Sequence, residues 1–238
     1  MEELPDVLYV VRQGEENEEL YYSLRSLVNL PHNRVFIVGY CPSWVENVTV
    51  VPVPSGPNKF DNIERNLRAG LAHPEIGHRI TYWNDDMYVV QRVDAVPPMH
   101  RGPVDPRNFR QELRTRIITT VSALSTVPHP LDYELHVPLP LETEQAHSVM
   151  SLAPKRILWR TYFGNAAKIG GELTMDVKSR AGEVFPSPFL SSGPKSLRSL
   201  IPYLEERLPG SMYGQRPVRI QRRGSSALRS PVQHVDIE

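Results

Sequence analysis

A single cysteine, Cys41, stands in 238 residues, which excludes an internal disulfide and a cysteine-rich zinc site and points to a reducing compartment. No apolar run approaches the roughly 20 residues of a membrane-spanning helix. Residues 1–6 are acidic where a signal peptide would be basic and then apolar. The chain is therefore expected to be soluble, cytoplasmic and without membrane contact. Excess charge of one sign is also missing: 27 lysines and arginines balance 27 aspartates and glutamates, so there is no global attraction for nucleic acid. Gly-x-Ser-x-Gly, Gly-Lys-Ser/Thr and a glycine-rich first turn are absent, which sets aside nucleophile-elbow hydrolases, P-loop enzymes and dinucleotide binders.

Proline, by contrast, is plentiful. Its 23 copies place hard stops between short elements, and 40% apolar residues suffice for one α/β core. Residues 7–11 form an apolar, β-branched run ending at Arg12-Gln13-Gly14, the pattern of a buried strand entering a turn. Asn17 can cap a helix in which Leu20, Tyr21, Leu24, Leu27 and Val28 recur at helical spacing before Pro31. Within it, Arg25 is expected to hold the fold against the first strand. Strands are expected at 35–39, 48–51 and 79–83, with a helix over 60–71 for which Asp61 can serve as cap. That order implies a mostly parallel central sheet flanked by helices.

Further along, the pattern predicts helices over 109–124, 142–150 and 195–208, and strands over 133–137 and 174–178. Residues 1–214 read as one domain. Over 215–238, Arg216, Arg219, Arg222, Arg223 and Arg229 sit among Gly, Ser and Pro. This tail reads as disordered, either simply solvated or a weak contact for an anionic partner.

Ligands of open α/β sheets bind beyond the carboxyl ends of the strands, so Arg12 to Gly14 and Asn84-Asp85-Asp86 should share one rim. Adjacent carboxylates at a strand end supply hard oxygen ligands for magnesium or manganese bridging a diphosphate. Asn-Asp-Asp is equally good turn chemistry. Asp176 and Lys178 would lie on one side of a strand, where they could bind acceptor or phosphate, or form an exposed ion pair.

Three ordered blocks carry a family likeness: Tyr21-Tyr22-Ser23-Leu24-Arg25-Ser26-Leu27; Val35-Phe36-Ile37-Val38-Gly39 with Pro42-Ser43-Trp44; and Tyr82-Trp83-Asn84-Asp85-Asp86-Met87. They resemble Stealth-type sugar-phosphate transferases, which include bacterial capsule hexose-phosphate transferases and the lysosomal-enzyme N-acetylglucosamine-1-phosphotransferase. The chain is more closely similar to short actinobacterial phage proteins usually described as glycosyltransferases. That likeness extends through Tyr133-Glu134-Leu135-His136-Val137-Pro138-Leu139-Pro140 and Asp176-Val177-Lys178 to about residue 214, whereas the Stealth likeness covers residues 6–89.

The resemblance implies a GT-A-like nucleotide-diphosphosugar transferase fold, a nucleotide-sugar donor and a Mn2+ or Mg2+ ion on the acidic motif. It also implies a carbohydrate or protein acceptor, with a virion protein among the candidates, and the host cytoplasm as location. The motif would act through Asn84 and Asp86, making Asp86 the preferred metal ligand. Asp85 could ligate the metal, contact the donor sugar or orient neighbours. Lys59 and Asn62 match a block that approaches the donor, or are ordinary helix-start polar residues. His136 could be a metal ligand, a general base toward the acceptor hydroxyl, or a structural histidine. One departure stands out: Stealth proteins carry Trp-Val-Asp/Asn-Gly after strand one, where this chain has Val11-Arg12-Gln13-Gly14. Arg12 could meet a phosphate there, with Gly14 allowing close backbone approach, or be an ordinary surface arginine.

The expected activity is metal-dependent transfer of a hexose from a nucleoside diphosphate sugar to an acceptor hydroxyl. Two alternatives are transfer of sugar-1-phosphate with release of a nucleoside monophosphate, and a non-catalytic carbohydrate or virion-assembly binding module. DNA glucosylation is disfavoured by the neutral charge.

Overall fold

The computed structural model describes residues 3–215; the five tail arginines lie outside the described residues. Along the chain come β1 (Asp6–Val11), α1 (Glu18–Ser26), β2 (Val35–Gly39), β3 (Thr49–Pro52), α2 (Lys59–Leu71), β4 (Arg79–Asn84), and the short β5 (Met87–Val89) and β6 (Met99–His100). Then follow α3 (Gln111–Ala123), β7 (Leu139–Glu142), α4 (Thr143–Leu152), α5 (Trp159–Ala166), β8 (Glu172–Leu173), β9 (Phe189–Ser191) and α6 (Leu197–Arg207). The central sheet has the order β3-β2-β1-β4-β7, with the first four strands parallel and β7 antiparallel at the edge. It is a mixed α/β architecture with a mostly parallel five-stranded sheet flanked by helices.

The continuous apolar runs of β1 and β2 follow from burial on both faces. Side-chain alternation sends Val7, Tyr9, Val11, Ile37 and Trp83 to a core with Leu20 and Leu24 of α1. It sends Leu8, Val10, Phe36, Val38 and Tyr82 to a second core with Leu67 and Leu71 of α2 and Met150 of α4. Asn17 caps α1 as expected, its Oδ1 accepting from the Leu20 amide at 3.1 Å. Val28, expected on the buried face, is 61% exposed, because the helix tightens into a 3-10 turn over Leu27–Asn29 and the side-chain period shifts.

Several expectations are corrected. The cap of α2 is Asn58, whose Oδ1 accepts from the amides of Phe60 and Asp61, so Asp61 lies inside the first turn. Residues 133–137 form no strand. Asp132 Oδ1 takes the Glu134 amide at 2.9 Å, and the Leu135 amide turns back to the Tyr133 carbonyl at 2.8 Å. Local bonds thus consume the groups a ladder would need, and the strand begins later, at Leu139. Residues 174–178 are likewise not a strand: Lys178 makes one isolated bridge to Ser191, and β8 precedes the segment. Arg25 braces α6 instead of the first strand. Its guanidinium donates to the carbonyls of Pro209 (2.7 Å) and Leu208 and to Glu205 (2.8 Å), satisfying carbonyls at a helix C-terminus. The two-turn helix α5 and the two- and three-residue strands β5, β6, β8 and β9 are not legible in the sequence. Among the described residues no helix is long and apolar enough to cross a membrane.

Close approach of α2 to the sheet depends on Gly70, where an added Cβ would stand 2.6 Å from Leu8 Cδ1 and 2.9 Å from Val38 Cγ2. Gly70→Ala should therefore destabilise the fold by about 1–3 kcal/mol despite alanine's better helix propensity. Chemical denaturation checks this; an unchanged or increased unfolding free energy would show that the contact can relax.

Candidate functional site

From β1 the chain passes to β2 on one side, while α2 carries it from β3 across to β4 on the other, so a switch point lies between β1 and β4. Val10 pairs with Asn84 at their carboxyl ends. Loops leaving these two strands must meet, and they do. Arg12 Nε stands 3.6 Å from Asp85 Oδ2, and Asn17 Nδ2 donates to the same oxygen at 2.7 Å. Asn17 therefore works twice, capping α1 with its oxygen and holding Asp85 with its nitrogen.

Beyond Asn84 the chain leaves the main sheet, because β5 pairs with β9, and Asp85 and Asp86 form the turn between the two. Their surroundings are polar but largely closed. Asp86 Oδ2 accepts from Lys178 Nζ, which also donates to the Ser192 carbonyl. Asp86 Oδ1 is buried without a hydrogen-bond partner. Glu19, from the first turn of α1, accepts from Arg12 Nη2 at 2.8 Å and from Ser192 Oγ at 3.0 Å. Burial pushes the Asp85 carboxyl up, as does the Asp86 charge, against the Asn17 hydrogen bond. Burial, then the charges of Asp86 and Asp85, push Glu19 from 4.5 to about 7.

Beside this cluster opens a cleft of about 870 Å³, lined among others by Asn84, His136, Asp176 and Lys178. All four are candidates from the sequence, Asn84 at the first position of the acidic motif and the other three fifty or more residues beyond it, and the fold brings them to one lining. His136 Nδ1 lies 2.9 Å from Asp176 Oδ2, and Asp176 Oδ1 accepts the His136 backbone amide at 3.1 Å. Burial works to raise the Asp176 carboxyl, but the hydrogen bonds and charge of His136 outweigh it and hold it below its ordinary value. Asp176 thus orients His136.

Other expected residues stand apart from the cleft. Gln13 is exposed and Gly14 half-buried, with open space where a Cβ would stand. Lys59 pairs with Glu112 at 3.7 Å and lies 4.8 Å from the Phe60 ring centroid. Asn62 is spent on the loop before α2, exchanging two 2.8 Å hydrogen bonds with the Gly56 backbone. From α2 the cleft takes Phe60, Ile63 and Glu64 instead.

The metal set Asp85, Asp86 and His136 is not gathered into one cage. Among the described residues no group of three His, Cys, Asp or Glu side chains could hold an ion. Asp85 is engaged by Asn17 and Arg12, Asp86 Oδ2 by Lys178, and His136 by Asp176. Asp86 Oδ1 alone offers an unpartnered buried oxygen, so as arranged the donor set does not fit a resident divalent cation.

No protein-family model and no curated protein matches the chain. Function follows, then, from the cleft's own chemistry. Lysines and arginines in its lining outnumber carboxylates seven to four, which suits an anionic ligand. Arg160, missed in the sequence, is 5% exposed; it donates to the carbonyls of Tyr133 (3.0 Å) and Val137 (2.6 Å), while Nη1 is buried without a partner. An arginine inside an apolar segment was the available signal. Glu19 carries only the acidic signal of a first helical turn, and nothing local in the sequence marks its proximity to Asp85 and Asp86.

Because Glu19 holds its proton more tightly folded than unfolded, its contribution to stability is greatest at low pH and is lost as pH rises from about 4.5 to about 7. Glu19→Gln should therefore raise the Tm relative to wild type at pH 8, with the gain vanishing near pH 5. Thermal unfolding across that range is the check. A gain independent of pH would mean that Glu19 does not titrate there.

Proposed function

We propose that the chain is a glycosyltransferase of GT-A-like fold, moving a hexose from a nucleoside diphosphate sugar to an acceptor hydroxyl bound in the cleft. The observation that carries this reading is the His136–Asp176 pair at 2.9 Å, set in a cationic cleft beyond the carboxyl ends of a parallel sheet. A volume of about 870 Å³ matches a small-molecule site. Phe60, Phe109 and Trp159 add apolar wall suited to a base or a sugar face.

With Nδ1–H directed at Asp176, His136 Nε2 is free to accept a proton. As the acceptor oxygen bonds to the anomeric carbon, its proton passes to Nε2. The bond from the anomeric carbon to the diphosphate breaks, and its electron pair leaves on the nucleoside diphosphate. Asp176 steadies the imidazolium, and the cationic lining meets the charge growing on the leaving group. Asn84, at the rim where β4 ends, has its Oδ1 accepting from the Tyr82 hydroxyl at 2.7 Å, and on this reading its amide nitrogen hydrogen-bonds the donor.

The test is a panel of nucleotide sugars incubated with the protein, with and without manganese, while the released nucleotide is measured. Release of a nucleoside diphosphate is expected, slowed about 10²–10⁴-fold in His136→Ala, as loss of a general base requires. Asp176→Asn should slow it too, with donor affinity preserved. Release of a nucleoside monophosphate would replace this reaction with sugar-phosphate transfer. Donor binding without turnover, unchanged in His136→Ala, would leave a carbohydrate-binding module instead.

A further inference from the structure

Resting on the transferase reading above, we propose that Lys178 is the resident cation of the cleft and seats the donor's diphosphate directly, so that no divalent metal is required. Its ammonium is bonded to Asp86 Oδ2 and to the Ser192 carbonyl at once. An ammonium has three N–H donors; two are committed to the protein, and the third remains for a ligand oxygen. The side chain is 21% exposed and lines the cleft, so the free donor is within a ligand's reach.

A divalent ion on Asp86 would have to expel this ammonium or stand beside it against charge repulsion. It would also find Asp85 turned away toward Asn17 and Arg12. Asp86 makes Lys178 a fixed cation by holding it in one geometry, which is what preorganised charge stabilisation needs. The pair alone is neutral. The net positive charge comes from around it, from Arg110, Arg180 and Lys195 in the same lining. Arg160, whose Nη1 lacks a partner, adds a buried cation to the same wall.

The experiment is calorimetric titration of the full chain with inorganic pyrophosphate in excess EDTA, repeated with manganese in place of the chelator. Pyrophosphate should bind in EDTA. Lys178→Gln should weaken that binding by about tenfold or more, as loss of one charge-assisted hydrogen bond implies. Lys178→Arg, which keeps the charge, should retain it, and melting curves of both variants report whether the fold survives. Wild-type binding that appears only with manganese would overturn the proposal, as would unchanged binding in a folded Lys178→Gln. Failure here is distinct from failure of the transferase reading. Nucleotide release from the donor panel only in manganese sinks the metal-free site but keeps the transferase. Lys178-dependent pyrophosphate binding without turnover of any nucleotide sugar does the reverse.

Discussion

Two adjacent carboxylates closed into the turn at the end of a central strand impose the constraint from which the site is built. Desolvating an ionised carboxylate is strongly unfavourable unless cations and donors compensate it. For Asp85 and Asp86 the compensation comes from remote parts of the chain: Arg12 after β1, Asn17 at the start of α1, and Lys178 before β9. Each of these partners also ties down its own segment. Asn17 starts α1, Arg12 bonds Glu19, and Lys178 joins the Ser192 carbonyl, whose amide in turn donates to the Asp86 carbonyl. The turn therefore works as a junction, and the loops around it have little freedom that does not disturb its charge balance.

That junction also sets the position of the His136–Asp176 pair. Residues 174–178 lack a regular ladder and are held by separate contacts: the Thr174 amide donates to the His100 carbonyl, the Val177 carbonyl accepts from the Ser191 amide, Lys178 bonds Asp86 and the Ser192 carbonyl, and Val177 packs in the core. Asp176 lies two residues before Lys178, so fixing the ammonium also constrains the carboxylate that orients His136. His136 sits on a segment with irregular backbone as well, pinned by Arg160 through the carbonyls of Tyr133 and Val137. Two irregular segments meet at a 2.9 Å contact because each is anchored to a buried charge.

How much of this could be read from sequence follows from the range of the forces involved. Runs such as Val35–Gly39 announce themselves, because burial on both faces of a parallel strand leaves no polar position. Tyr133, Leu135 and Val137 alternate like a strand and are all buried, yet the Asp132 side chain turns the backbone before pairing can start. Periodicity reports burial; it does not report where the amides go. At the site, Asn84 and the pair Asp176 and Lys178 were legible as polar residues at the borders of apolar segments. Period-two alternation does not account for the presence of both Asp176 and Lys178 in the cleft lining, because residues 174–178 form no strand. Glu19 and the engagement of Asp86 by Lys178 were illegible, because each depends on contacts across dozens of residues, and Arg160 offered only its place inside an apolar segment.

Charge accounting within the junction explains why lysine can hold the place expected for a metal. Glu19, Asp85 and Asp86 could carry three negative charges, and Arg12 and Lys178 supply two positive ones. The cluster comes into balance when one carboxyl keeps its proton, and burial with the two aspartate charges drives Glu19 up to about 7, where it does so near neutrality. A divalent cation added to this set would leave it over-compensated unless Lys178 withdrew and Glu19 ionised together. A diphosphate arriving from the cleft meets the opposite situation, an ammonium with a donor to spare and more cations than carboxylates around it. The arrangement of the buried charges thus favours an anionic ligand over a metal ion, and it does so through side chains that the fold already holds in place.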